Sequence, residues 1–153
     1  DTAKQLDAYD SGRIYYYLGE YQKAYLALDE ARDKGGADSY LYLGRAYAAT
    51  GDYNYASSVY NNYLSKQGPN AEIYNELGLC EMAKKEYQNA LAAFQAGKQI
   101  EGNSLMQTLC FNEIVAYEYL EDYQQAEILM NAYLQNYPDD QTAIREQQFL
   151  STR

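Results

Sequence analysis

The stretch "GDYNYA", residues 51–56, decides how the chain folds. It reads as a turn followed by the start of a helix. Glycine suits a helix end, and the acid after it suits the next helix's N-terminus. Nearly the same words recur as "GEYQKA" at 19–24, "KEYQNA" at 85–90 and "EDYQQA" at 121–126. The closing alanines, Ala24, Ala56, Ala90 and Ala126, stand 32, 34 and 36 residues apart. Self-similarity at that period means stacked supersecondary units, each burying its apolar face against its neighbours.

Outward from the hexamers, each unit reads as two helices. The first carries a small residue and an aromatic three later: Gly12 and Tyr15, then Gly44 and Tyr47. The second carries a large apolar residue four after the alanine: Leu28, Tyr60, Phe94 and Met130. Both spacings keep the paired residues on one helical face. Gly44 and Gly78, with the four alanines opposite, let helices approach closely. Gly19 and Gly51 stand where a left-handed backbone is needed. Lys85 and Glu121 take that place later in the chain, at a cost of about 1 kcal/mol each. Glu20, Asp52, Glu86 and Asp122 are expected at second-helix N-termini. Tyr21, Tyr53, Tyr87 and Tyr123 should pack across the turns. After Pro138, "DDQTAIREQQFL" at 139–150 reads as a final helix capped by Asp139 or Asp140, covering the last repeat's apolar face. At the other end, Asp1 to Asp10 fall on the first helix itself, with no N-terminal cap in sight.

These residues resemble a tetratricopeptide repeat (TPR) protein. The family's pattern sets an aromatic, Leu-Gly and Tyr on the first helix, then Ala, an aromatic and Ala on the second. "YLYLGRAY" at 40–47 fits it with Ala56 and Tyr60, and "YNELGLC" at 74–80 fits it with Ala90 and Phe94. Repeat one matches at Gly12, Tyr15, Ala24, Leu28 and Ala31, and repeat four at Tyr117, Ala126 and Pro138. The resemblance covers roughly residues 5–140. It implies an all-α fold, a right-handed α-α superhelix (TPR solenoid) of antiparallel helix pairs. One domain is expected over 1–153, with repeats at about 5–36, 37–70, 71–106 and 107–140 and a C-terminal helix at 140–151. Repeat four departs from the pattern at Ile114 (for Gly) and Glu113 (for Leu), so its first helix should pack more loosely or rotate. Glu81 replaces the usual Tyr of repeat three.

The resemblance also implies a concave groove lined by the first helices. Its expected residues are Tyr9, Arg13 and Tyr16 in repeat one, Leu41 and Arg45 in repeat two, Asn75, Leu79 and Met82 in repeat three, and Phe111 and Val115 in repeat four. The stripe through Leu41, Leu79, Met82, Phe111 and Val115 is apolar, as at binding surfaces. The function expected is a protein–protein interaction scaffold binding a peptide or helix segment of a partner, with an acidic or phosphorylated group near Arg13 and Arg45. The alternative is an assembly module whose groove is filled by self-association, as a homodimer, or by a neighbouring domain. For the arginines, pairing with Asp38, Glu72 or Glu76 is the plainer reading. Some family members clamp a chaperone's C-terminal carboxylate. The corresponding positions here, Tyr9, Arg13, Tyr42, Glu72 and Glu76, do not match that clamp, and the two acids would repel the carboxylate.

Composition narrows the chemistry. The hydrophobic fraction of 47 % belongs to a folding sequence, and Pro69 and Pro138 are its two prolines, which suits helices. With 22 acidic against 12 basic residues the net charge is −10, which argues against a nucleic-acid partner. No histidine is present, so histidine-based catalysis and His-ligated zinc are excluded, and no catalytic motif points to an enzyme. No cofactor or metal site is expected. Cys80 and Cys110 read as free thiols pointing at different layers. The 20 tyrosines, with no tryptophan, fall mostly at core and turn positions, leaving Tyr16 or Tyr17 exposed for recognition. No apolar run is long enough to cross a membrane, and no signal peptide is visible. The chain does not begin with Met and reads as a mature form or an excised piece. Sparse lysine with heavy use of Tyr, Asn and Gln resembles bacterial cell-envelope repeat proteins, the cytoplasm being the alternative.

Overall fold

The computed structural model describes residues 6–153. Residues 1–5, where repeat one and its first helix were expected to begin, lie outside the described residues. Nine helices and no strand occur among the described residues. Two compact units divide them: one ends at Pro69, the other is Asn70–Arg153. The first holds α1 (Ala8–Tyr17), α2 (Tyr21–Glu30), α3 (Ala37–Ala49) and α4 (Tyr53–Gln67). The second holds α5 (Ala71–Ala83), α6 (Tyr87–Lys98), α7 (Met106–Tyr119), α8 (Tyr123–Asn136) and α9 (Gln141–Leu150).

Four helix pairs, α1/α2, α3/α4, α5/α6 and α7/α8, turn at the four hexamers, and all four turns close alike. After α1, the Gly19 N–H donates to Tyr16 O (3.0 Å) and the Glu20 N–H to Tyr15 O (2.9 Å). The same two bonds run from Gly51 and Asp52, from Lys85 and Glu86, and from Glu121 and Asp122. This is the Schellman closure, and it needs one left-handed residue. Gly19 (φ 74°) and Gly51 (φ 85°) supply it in the first unit, Lys85 (φ 64°) and Glu121 (φ 60°) in the second. The acid that follows caps the next helix. Asp52 accepts from the Tyr55 N–H (3.1 Å) and Asp122 from the Gln125 N–H (3.2 Å). Glu20 and Glu86 sit in the same backbone geometry but make no capping bond, because the extra methylene carries the carboxylate past the N–H groups. Glu20 pairs with Lys23 instead.

The first helix carries a side-chain N-cap. Asp7 accepts from the Asp10 N–H at 2.8 Å, since a carboxylate in extended backbone reaches the third residue on.

Within the pairs, a side chain at Gly44 would overlap the ring of Tyr60, and one at Gly78 the ring of Phe94. Both rings are fully buried, so the missing Cβ is what lets each pair close. The fourth pair reaches the same end differently. Ile114 replaces the glycine and slim, flexible Met130 replaces the ring; both are buried in one cluster with Tyr133, Ala143 and Leu150. Ala143 and Leu150 belong to α9, which therefore covers the end of the last pair. Asp140 caps α9 through the N–H groups of Thr142 (3.1 Å) and Ala143 (3.2 Å), and its other oxygen accepts from the Tyr133 hydroxyl at 2.6 Å.

Candidate functional site

In the first unit, α1 places Tyr9, Arg13 and Tyr16 on one face at helical spacing. The Arg13 guanidinium lies 5.3 Å from the Tyr9 ring centroid and 5.6 Å from that of Tyr42, within cation–π range of both. It also pairs with the Asp10 carboxylate at 3.8 Å. The reason is local: a residue three back on the same helix is always within reach. Contact with the Tyr42 hydroxyl raises the Arg13 pKa, keeping the charge fixed. The Tyr16 ring stands 5.4 Å from Tyr42 and 5.8 Å from Tyr21. The Tyr17 and Tyr42 hydroxyls are 2.7 Å apart, and Tyr17 is 71 % exposed. Tyr16 is half-buried, so Tyr17 is the exposed member of that pair. On α3, Arg45 is half-buried, and Leu41, 3 % exposed, belongs to the core. The structure thus brings Tyr9, Arg13 and Tyr16 together around Tyr42, a centre that the groove spacing did not select.

In the second unit, Leu79 on α5 is 43 % exposed, whereas Met82, Phe111 and Val115 are half-buried. The Phe111 ring meets Tyr133 edge to face at 5.7 Å, so it serves the core as well as the surface. Asn75 is buried, and its amide oxygen accepts from Asn112 at 2.9 Å, tying α5 to α7. Two buried carboxylates stand where the pattern has apolar or aromatic residues. Glu113 receives Lys98 Nζ at 2.5 Å and Gln95 Nε2 at 3.1 Å, and Glu81 pairs with Lys84 at 2.9 Å. Glu118, half-buried, has its pKa pushed up to about 8 by desolvation and by a hydrogen bond to Glu146 of α9. Sequence reading singled out Glu81 and Glu113 but not Glu118, and could not supply their partners, which lie on other helices or, for Lys84, in the turn.

Cys80 and Cys110 are free thiols. Burial pushes the Cys80 thiol up to about 12. Among the described residues, no group of three or more His, Cys, Asp or Glu is placed to hold a metal ion, and no helix is long and apolar enough to cross a membrane.

A tetratricopeptide repeat family model matches the chain at residues 9–54 and 43–103, more than half of its length. Comparison with curated protein sequences gives no match. Among solved structures, the double mutant MamA RS-1 ArsTM superposes with a TM-score of 0.82 at 20 % identity, covering 95 % of this chain and 82 % of that one. A crystal structure of MamA protein gives 0.81 at 19 % identity, over 94 % and 78 %. The second TPR domain of human RPAP3, in complex with an HSP70 peptide, gives 0.68 at 17 % identity, over 77 % and 97 %. These likenesses show the all-α tetratricopeptide fold.

Proposed function

The chain belongs to the tetratricopeptide repeat family, a family of protein-interaction scaffolds, and from that premise we propose that its first-helix faces bind an extended or helical segment of a partner protein. One observation carries the reading. Leu79 leaves 43 % of its surface exposed beside half-buried Met82. A leucine in that position gains more from a partner's apolar side chain than from water. On α1, the tyrosines around Arg13 offer a complementary kind of contact: a fixed cation framed by rings, suited to an acidic or phosphorylated group. The RPAP3 neighbour was solved with a peptide bound, which supports the mode of binding and leaves the partner open.

The test uses the whole chain as bait beside Leu79→Asp and Arg13→Glu/Arg45→Glu, with helicity confirmed by circular dichroism. Leu79→Asp should weaken capture of a specific partner by about tenfold or more, the cost of losing an apolar anchor. A partner held equally by both variants overturns the reading and moves the site to other faces. No partner, together with a concentration-dependent dimer on a sizing column, favours the assembly module.

A further inference from the structure

We propose that Tyr17 and Tyr42 form a site of oxidative coupling, at which an oxidant of the haem-peroxidase and hydrogen-peroxide class joins the two rings through a carbon–carbon bond. The pair is pre-arranged for it. The two hydroxyl oxygens are 2.7 Å apart, with ring centroids at 5.8 Å and planes at 70°. In the coupled product, the new bond joins the ring carbons next to the two hydroxyl-bearing carbons. The phenolic oxygens then end as hydrogen-bonded neighbours, a separation that the folded protein already holds. Tyr17 is 71 % exposed, so an oxidant reaches it. Tyr42 is half-buried and held from both sides, by Arg13 at 5.6 Å and the Tyr16 ring at 5.4 Å.

The chemistry balances without a cofactor in the chain. Each phenol gives one electron and its hydroxyl proton to the oxidant, and the hydrogen bond offers the first proton an acceptor. The two phenoxyl radicals couple at one ortho carbon each. Each joined ring then moves the hydrogen from that carbon back to its oxygen. One hydrogen peroxide becomes two waters, and the protein loses two hydrogen atoms.

Apart from the other tyrosines, competing sinks in the chain are few. It has neither tryptophan nor histidine. Cys80 is buried, and burial also raises the Cys110 thiol, so neither offers a ready thiolate. The strongest rival pair is Tyr47 and Tyr55, with rings 4.2 Å apart, planes at 43° and Tyr55 only 40 % exposed against 71 % for Tyr17; cross-links that map mainly there overturn the proposal. Tyr25 and Tyr47 stack face to face at 4.2 Å, and both are half-buried. Tyr87 and Tyr119 also stack, at 5.1 Å, and Tyr119 is exposed, which makes them the natural internal control. A Tyr17–Tyr42 bond staples α1 to α3 and fixes the rings around Arg13.

The test treats the whole chain, dilute, with a haem peroxidase and limiting hydrogen peroxide. Dityrosine fluorescence is read, and the cross-linked peptides are mapped by mass spectrometry. The expected product is a monomer lighter by two hydrogen atoms, with one dominant cross-linked peptide pair containing Tyr17 and Tyr42. Tyr17→Phe should lose most of the fluorescence and Tyr119→Phe should keep it. Tyr17 is largely exposed, so its phenylalanine variant keeps the fold, which circular dichroism checks. Equal fluorescence from Tyr17→Phe overturns the proposal. So do cross-links that map mainly to Tyr87 and Tyr119, or that form only between chains.

Discussion

In the first unit the helix-pair turns pass through Gly19 and Gly51, whereas in the second they pass through Lys85 and Glu121, yet both close with the same two hydrogen bonds. The contrast extends inward. The first unit keeps the small-against-large packing of Gly44 and Tyr60 and gathers tyrosines around one arginine. The second buries Glu81 and Glu113, each with a lysine, and sets Glu118 against Glu146. A repeat therefore tolerates the wrong residue at a pattern position when a partner nearby meets its chemical need. The second unit keeps the small-against-large packing at Gly78 and Phe94 and adds compensation where it departs from the pattern.

The largest way to break that contrast is to remove a compensating group. Lys98→Met leaves Glu113, 5 % exposed, without its cation. Chemical denaturation should show a loss of about 3 kcal/mol, the usual cost of an orphaned buried charge. Adding Glu113→Leu, which restores the family residue, should return stability to within about 1 kcal/mol of the parent. If Lys98→Met costs nothing, the ion pair is not what holds α6 to α7.

A smaller effect lies in pH. In the folded chain the Glu118 pKa is raised to about 8, above its unfolded value. The folded state therefore keeps a proton that the unfolded state has already released. Its contribution is fully present at acid pH and is lost as pH rises from about 4 through about 8, amounting to about 2 kcal/mol once solvent screening is allowed for. Hydrogen exchange should show α9 amides opening more at pH 9 than at pH 6. Glu118→Gln should flatten that dependence. An unchanged profile in the variant would mean that Glu118 and Glu146 do not share the proton.

The turns give the smallest effect and sharpen the contrast most directly. Lys85→Gly and Glu121→Gly should each stabilise the second unit by about 1 kcal/mol, since glycine takes a left-handed backbone without strain. Gly51→Lys should cost the first unit a similar amount, about 1 kcal/mol. Thermal melts of the three variants check both signs.

What could be read from the sequence was whatever repeats or acts locally. The turns, the acids after them, the glycine contacts and the Asp140 cap depend on residues a few places apart, or on a period that spacing reveals. The strain at Lys85 and Glu121 was legible for the same reason: glycine stood at that place in two other copies. The candidate site was less legible. Helical spacing puts Leu41 and Asn75 on the expected face but cannot say that one enters the core and the other bonds Asn112. Nor can it bring Tyr42 to Tyr17, or Glu146 to Glu118, because those meetings depend on how neighbouring helices are rotated. The pairing of Arg13 with Asp10, one turn back on the same helix, was legible from spacing alone and was overlooked.

Each joint has a further property. The residue whose N–H ends the first helix of a pair is also the residue that begins the second. Asp52 donates to Tyr47 O with its backbone and accepts from the Tyr55 N–H with its side chain. Fraying either helix end therefore gives up a bond belonging to the other. The two ends at such a joint loosen together.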